Sequence, residues 1–202
     1  PELFENPKII IRETGDRIIA TLDEKGFYAL STLYSGFVLD HKFDLRAILA
    51  MLHSEIIHFL MVLIAFGRTK GAFTKTRIFH YYSLPIPNCL LTHQAPLCTI
   101  VDYMLCIAPK KHNNLLQAFF QSLLDAAFYE LYLSEEIQAA KKQILSHLDD
   151  LKPIAEDMTD EEKLAIIQSE FERLYDPNHP VRNNLETLDS VEEVRIIKEA
   201  LK

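Results

Sequence analysis

Cysteine and glycine are both scarce in this chain. Its 202 residues include three cysteines, an odd number with no Cys-x-x-Cys pair, which gives no support to a disulfide framework or a zinc site. Only five glycines are present, and neither a Gly-x-Gly-x-x-Gly fingerprint nor a P-loop occurs among them. The enzyme classes that hold nucleotide phosphates on such loops are therefore excluded.

Catalytic signatures are missing as well. The chain has no Asn-Pro-Pro-aromatic tetrad of the kind that adenine methyltransferases use, and no Ser/His/Asp or Cys/His arrangement in a recognisable local context. Glu161-Glu162-Lys163 resembles half of a nuclease signature, but it falls on the first turn of a predicted helix, where acidic residues favour the helix dipole. His53 and His58 are spaced poorly for one metal ion, and Cys89 with His93 lacks further ligands. We therefore predict no catalytic residue, no metal site and no cofactor in this chain.

No hydrophobic run reaches the length of about 20 apolar residues that spans a bilayer. The longest, from Ile56 to Phe66, includes His58 and is predicted to be a buried helix. A signal-peptide pattern is absent, and the sequence opens on Pro1 rather than on methionine. These features predict a piece excised from a longer cytoplasmic protein, with reduced thiols and no membrane partner.

Negative charge predominates but is unevenly placed. The formal net charge of −8 at first argues against a nucleic-acid partner. Residues 1–92, however, hold ten Lys/Arg against nine Asp/Glu, whereas residues 93–202 hold eleven against twenty. The segment from Gly67 to Tyr82 contains four Lys/Arg and no acid. The acidity therefore belongs to the second part of the chain, and the first part remains compatible with a polyanionic partner.

Residues 1–92 have the pattern of an α+β domain. Runs of β-branched and apolar residues predict strands at Lys8–Glu13, Arg17–Leu22, Phe27–Leu39 and Thr76–Tyr82. The unbroken Ile9-Ile10-Ile11 predicts a strand covered on both faces. Asp44 is expected to cap a long helix that continues to about Phe66.

Residues 93–202 are predicted to be helical throughout. Ser134 is expected to begin a helix that ends at Pro153, because the apolar residues between them follow helical spacing. Thr159-x-x-Glu162 and Ser190-x-x-Glu193 are both capping-box patterns, which predict two further helix starts.

The acid-free segment supplies the first candidates for contacts with a phosphate backbone, namely Arg68, Lys70, Lys75 and Arg77. Lysine and arginine neutralise phosphates, and arginine can also read guanine edges with two hydrogen bonds. The alternative interpretation is a solvated loop of the kind that most proteins possess.

Three more candidates lie in neighbouring segments. Arg12 and Arg17 flank the turn Thr14-Gly15-Asp16, and Tyr82 ends the predicted strand after the basic segment. If that strand pairs beside the first hairpin, both arginines can share one face with the basic segment. Taken alone, the hairpin is an ordinary turn with surface ion pairs. Tyr82 can stack on bases, although a strand tyrosine more often covers the sheet.

Ordered blocks in the first part resemble a known family. They are Pro7–Thr21, Gly26-Phe27-Tyr28, Ser31-Thr32-Leu33-Tyr34, Leu45–Ser54 and Leu84-Pro85-Ile86-Pro87. Their order resembles the TaqI-like C-terminal specificity domain, the target-recognition domain of type IIG restriction–modification enzymes. Segments of the second part are similar to the C-terminal end of those enzymes, namely Glu130-Leu131-Tyr132, Asp176–Arg182 and Val191–Ile197.

The resemblance implies a curved mixed or antiparallel sheet with packed helices, followed by an α-helical C-terminal region. It implies a reader of double-stranded DNA, while upstream adenine-methyltransferase and nuclease domains of the same parent protein use S-adenosylmethionine and magnesium for the chemistry. The family's base-contacting residues vary with the target sequence, so none is carried over. On this interpretation residues 1–92 recognise DNA. The alternative is a non-catalytic protein-interaction module that acts through its acidic helical half.

Overall fold

The computed structural model of the protein describes residues 2–66, 74–110 and 113–202. Contacts divide the chain into two compact units, Pro1–Leu91 (unit 1) and Thr92–Lys202 (unit 2). Small antiparallel sheets combine with helices in unit 1, and unit 2 is helical. The predicted α+β class with a helical C-terminal region is confirmed.

The elements of unit 1 are, in chain order, α1 (Glu2–Glu5), β1 (Lys8–Arg12), β2 (Thr14–Gly15), β3 (Ala20–Asp23), β4 (Leu33–Gly36), α2 (Leu45–His53), α3 (Glu55–Met61), β5 (Thr74–Lys75) and α4 (Ile78–Tyr82). A π-helical turn, Val62–Phe66, follows α3, and a 3₁₀ turn, Asn88–Thr92, follows α4.

The central strand of the sheet is β1, which pairs antiparallel with β3 on one side and β4 on the other. Alternate residues of a strand point to opposite faces. Ile9 and Ile11 are buried, and α2 packs against β1 and β3. Ile10, on the opposite face, is half-buried and lines an open pocket with Thr21 and Leu33. The expectation of a strand covered on both faces is therefore wrong, because the face of Ile10 stays open.

A buried ion pair joins β1 to β3. Lys8 Nζ lies 2.6 Å from Asp23 Oδ2 and also donates to the Phe4 carbonyl. The Asp23 carboxylate accepts two further hydrogen bonds, from the backbone N–H groups of Lys25 and Phe27. Charges leave water at a tolerable cost only when they are paired and hydrogen-bonded in this way. Because Asp23 holds Phe27 in the turn, the strand expected over Phe27–Leu39 shortens to β4.

The single long helix predicted from Asp44 to Phe66 is broken. Asp44 caps α2 as predicted, by accepting from Arg46 N–H at 2.7 Å. At Ser54 the backbone is extended, with ψ of 148°, and the Ser54 hydroxyl donates to the Met51 carbonyl at 2.7 Å. The serine side chain competes with the helical ladder at that point. The apolar period nevertheless continues into α3, where Ile56 and Ile57 are buried.

The strand predicted over Thr76–Tyr82 is also wrong. Strand β5 ends at Lys75, and residues Ile78–Tyr82 form the helix α4. The Thr76 hydroxyl lies 3.0 Å from the Tyr81 hydroxyl, whereas five residues of strand would separate their backbones by about 16 Å. The contact requires a helical turn, which overrides the β-propensity of the aromatic and β-branched residues.

Unit 2 contains α5 (Gln94–Ile107), α6 (Asn114–Tyr132), α7 (Ser134–Ala139), α8 (Asp160–Leu174), α9 (Pro180–Glu186) and α10 (Glu192–Ala200). Helix α6 supplies more of the described core than any other helix of unit 2, including Phe120, Leu123 and Phe128 with no exposed surface. A buried carboxylate, Glu170, accepts from the Arg173 guanidinium at 2.6 and 3.0 Å.

The helix predicted from Ser134 to Pro153 stops early. Helix α7 ends at Ala139, and Lys141 adopts a left-handed backbone with φ of 56°. Glu130 then accepts from the backbone N–H groups of Ile144 and Leu145, at 2.6 and 2.9 Å. The apolar residues of this segment are buried although the helix has ended. The Glu130 side chain of α6 accepts the backbone hydrogen bonds that a continued helix would otherwise have satisfied.

The two capping-box patterns have different outcomes. Thr159 and Glu162 exchange the expected hydrogen bonds at the start of α8, which confirms that box. At α10 the N-cap is Val191, which provides no capping side chain, so the box predicted at Ser190 and Glu193 is wrong. A 3₁₀ turn at Leu188–Ser190 moves the helix start one residue along the chain.

Within the described ranges, no single helix is long and apolar enough to cross a membrane. Leu45–His53 and Glu55–Ala65 pass the same test of length and composition only as a pair, with a bend of 66° between them.

Candidate nucleic-acid interface

A short two-stranded ribbon lies at one end of the β1 hairpin. It pairs Thr14 with Lys75 and Gly15 with Thr74 in antiparallel register. A side chain at position 15 would place its Cβ 2.8 Å from the Arg17 carbonyl oxygen, which is why glycine suits the turn. The strand that pairs beside the first hairpin is therefore β5, which lies inside the acid-free segment, and not the predicted strand over Thr76–Tyr82.

Glu13 connects this ribbon to the main sheet. Its Oε1 lies 2.8 Å from Lys75 Nζ and 2.9 Å from the Tyr34 hydroxyl. Its carbonyl oxygen accepts from both the N–H and the hydroxyl of Thr76, at 2.8 and 2.9 Å. Glu13 thus links the ribbon to β4 through both its side chain and its backbone, and the Tyr34 hydroxyl also lies 2.9 Å from the Thr76 carbonyl oxygen.

The charges around Glu13 shift its ionisation. The hydrogen bond from Lys75 holds the pKa of the Glu13 carboxyl below its ordinary value, against the opposing effect of partial burial. Burial raises the pKa of the Tyr34 phenol, and the neighbouring Glu13 carboxylate raises it further. At neutral pH the site therefore contains an ionised Glu13 and a protonated Tyr34.

Three of the predicted arginines are exposed near the ribbon. Arg12 ends β1, Arg17 follows the turn, and Arg77 follows β5. Arg12 directly precedes Glu13 in the chain, and Arg77 directly follows Thr76, the residue that donates to the Glu13 carbonyl. Within residues 2–66, 74–110 and 113–202, none of the three forms an ion pair with a carboxylate. Exposed guanidinium groups without a carboxylate partner are available to bind an anion.

Lys75 differs from these arginines. Its side chain is 61% exposed but is bound to Glu13. A phosphate would have to compete with that carboxylate, and an exposed ion pair of this kind contributes little to stability. Arg68 and Lys70, the other predicted basic contacts, lie outside the described residues.

The positive charge of Arg17 also acts on two histidines, His53 of α2 and His58 of α3. Burial lowers the pKa of His58, and the positive charge of Arg17 lowers it further. His53 Nε2 lies 2.8 Å from the Ala20 carbonyl oxygen and is also within the field of Arg17. The two histidines therefore remain neutral at pH 7 and do not add to the positive charge of the surface.

Tyr82, the predicted aromatic contact, is 85% exposed at the end of α4. Phe79 and Ile78 on the same helix are 60% and 51% exposed. Sequence reasoning missed these two because it treated the segment as a strand. The i to i+4 spacing of Ile78 and Tyr82, and the i to i+3 spacing of Phe79 and Tyr82, carry the helical signal.

Among the described residues, no group of three or more His, Cys, Asp or Glu side chains is placed to hold a metal ion. The described surface at this end of unit 1 instead presents cationic and aromatic side chains.

Comparison with protein families identifies a match to the first part of the chain. Residues 1–86 match the family model of the TaqI-like C-terminal specificity domain. No curated protein and no solved structure matches the chain. A specificity domain of this type is non-catalytic and supports a role in DNA recognition in restriction–modification systems. Residues 1–86, which make up most of unit 1, are therefore similar to the TaqI-like C-terminal specificity domain.

Proposed function

We propose that this chain is the DNA sequence-recognition part of a type IIG restriction–modification enzyme, a fused endonuclease and adenine-specific DNA methyltransferase. The family match over residues 1–86 is the observation that carries the proposal. On this proposal the chain is a cytoplasmic C-terminal fragment without catalytic activity. Its partners are double-stranded DNA and the methyltransferase and nuclease domains of the parent protein, which use S-adenosylmethionine and magnesium.

In this proposal the exposed cations position the DNA duplex. Arg12, Arg17 and Arg77 bind phosphate oxygens and fix the register of the duplex, because most contacts to DNA are made to its backbone. Lys75 joins them when a phosphate displaces Glu13, and Arg68 and Lys70 are further candidates. Discrimination between bases comes from side chains that reach the groove.

Unit 2 is an accessory in this scheme. Residues 93–202 hold eleven Lys/Arg against twenty Asp/Glu, so they repel a phosphate backbone and suit a protein partner better. We propose that this acidic half docks on another part of the parent protein. The second candidate function, a protein-interaction module without DNA binding, rests on the same charge.

The proposal is tested by the salt dependence of DNA binding. Arg77→Ala should weaken binding of the chain to a fluorescein-labelled duplex of mixed sequence and reduce the slope of log K against log salt by about 1, because one phosphate contact is lost. Fluorescence anisotropy over a salt series measures both quantities.

Arg195→Ala is the matched control, since Arg195 is an exposed arginine of unit 2 whose nearest carboxylate, on Glu192, is 3.8 Å away. Its slope should equal that of the unsubstituted chain. Equal slopes for all three proteins would remove Arg77 from the interface. Absence of DNA binding by the unsubstituted chain at low salt, together with tight self-association in sedimentation, would favour the protein-interaction module.

A further inference from the structure

Helix α4 exposes an apolar face that no part of unit 1 covers among the described residues. None of its five residues is buried, and Ile78, Phe79 and Tyr82 are each at least half exposed. Their spacing places the three side chains on one side of the helix. Large exposed apolar groups that are contiguous mark contact sites, whereas singly scattered ones are ordinary.

The opposite side of α4 is firmly anchored. Tyr81 packs edge-on against Tyr34 with 6.2 Å between ring centroids, and its hydroxyl lies 3.0 Å from that of Thr76. His80 Nδ1 accepts from the Arg77 N–H at 3.2 Å, and the Ser83 hydroxyl donates to the His80 carbonyl at 2.7 Å. The exposed aromatic rings are thus presented by a fixed turn, which reduces the entropy lost when they bind a partner.

The positively charged residues next to this apolar face indicate the kind of partner that it binds. Lys75 and Arg77 directly precede α4 in the chain, and residues 67–82 include no acid. The Glu13 carboxylate, which lies beside the ribbon, already accepts from Lys75. An apolar aromatic surface with a cationic border complements a ligand that has flat apolar faces between negative charges, which is the chemistry of a nucleic acid.

We propose that α4 is a DNA-contacting element in which Phe79 and Tyr82 pack against bases of the duplex while Arg77 and Lys75 bind the flanking phosphates. This inference rests on the proposed function and adds to it an apolar contact centred on Phe79. Apolar side chains of DNA-binding proteins pack in the groove or wedge between base steps in this manner.

Tryptophan fluorescence provides a direct test, because the chain contains no tryptophan. Phe79→Trp introduces a single indole on the proposed surface, and stacking on a base should quench its emission when duplex DNA is added. Phe27→Trp is the matched control, since Phe27 is 64% exposed against 60% for Phe79 and lies in the turn that follows β3. Its emission should not change. Equal responses of the two reporters overturn the proposal.

The affinity of variants for duplex DNA distinguishes the apolar contact of Phe79 from the ionic contacts. Phe79→Ala should weaken duplex binding about fivefold, the lower end of the range for loss of one stacking contact, and leave the salt slope unchanged because no charge is removed. Phe27→Ala should bind as the unsubstituted chain does. Thermal melting followed by circular dichroism checks that each variant remains folded.

The outcomes distinguish the inference from the proposed function. If Arg77→Ala flattens the salt slope but Phe79→Ala binds normally, the contact by α4 is wrong and DNA recognition stands. If neither substitution affects binding, the contact by α4 and the role of Arg77 are both wrong, whereas absence of DNA binding by the unsubstituted chain overturns DNA recognition itself. Quenching of Phe79→Trp by polyglutamate as strong as that by DNA would assign the face to an acidic protein partner and would also overturn the inference.

Discussion

A single residue, Glu13, limits the positive charge of the basic surface, because its carboxylate binds Lys75. Its carboxylate is largely shielded, with 13% of the side chain exposed, whereas its partner Lys75 is 61% exposed. The same oxygen accepts from Tyr34, so the carboxylate stays in place when the lysine moves. Glu13 therefore both orders the ribbon and competes with a phosphate for Lys75.

Removing this competition should strengthen DNA binding. Glu13→Gln keeps an acceptor for Tyr34 but loses the negative charge, and it releases Lys75 to a phosphate. The salt slope should steepen by about 0.9, the value of one added phosphate contact, and the affinity at low salt should rise. Anisotropy with a mixed-sequence duplex measures both.

The control for this substitution is Glu24→Gln. Glu24 lies 2.7 Å from Arg46 in an ion pair, and neither residue belongs to the ribbon. The salt slope of Glu24→Gln should equal that of the unsubstituted chain. An unchanged or shallower slope for Glu13→Gln would show that Lys75 does not reach a phosphate.

At the scale of the elements, two identical sequence patterns give two different helix starts. Thr159 closes a reciprocal capping box with Glu162, whose pKa is lowered by the hydrogen bonds from the backbone and the hydroxyl of Thr159. Ser190 instead belongs to a 3₁₀ turn and Val191 is the N-cap of α10. The capping-box pattern describes only four consecutive residues, whereas the start of α10 is set by the 3₁₀ turn that precedes it.

Substitution of the two residues should separate these roles. Thr159→Ala should lower the free energy of unfolding by about 1 kcal/mol, because the first turn of α8 loses a capped N–H group. Ser190→Ala should have an effect well below that. Chemical denaturation of the two variants in parallel measures the difference, and equal losses would show that Ser190 caps α10 in solution.

At the scale of the whole molecule, stability should decrease in acid. The hydrogen bond from Lys8 holds the pKa of the Asp23 carboxyl below its ordinary value of 3.8, against the opposing effect of burial. A carboxyl with a lowered pKa in the folded protein stabilises it fully above the unfolded pKa. That stabilisation is lost as pH falls through 3.8 towards the folded pKa.

The melting temperature should therefore fall steeply below about pH 4. In Asp23→Asn it should be lower at pH 7, because Lys8 remains buried without a partner, and its decrease in acid should be shallower. Asp40→Asn, at an exposed acid, should follow the unsubstituted chain. Parallel curves for Asp23→Asn and the unsubstituted chain would show that Asp23 does not determine the acid response.

The class of the fold and the identity of the first unit follow from local patterns. Period-two and helical runs predict the α+β order, and the blocks from Pro7 to Pro87 predict the family that the match over residues 1–86 confirms. Other predictions stay untested, among them the division of roles between residues 1–92 and 93–202 and the seven candidate DNA contacts. Residue type reports charge and apolarity but not which ligand a side chain meets.

The amino-acid sequence alone determined the placement of charge, with an acid-free segment over residues 67–82 and a strongly acidic second half, because the formal charge of a segment depends only on which residues it contains. Tertiary contacts decided what those residues do. Lys75 is bound by Glu13, a residue 62 positions earlier in the chain. The contact of Tyr81 with Thr76 turns an apparent strand into a helix. The face of Phe79 and Tyr82 is exposed only because that helix forms, and propensity summed along a segment contains no information about such contacts.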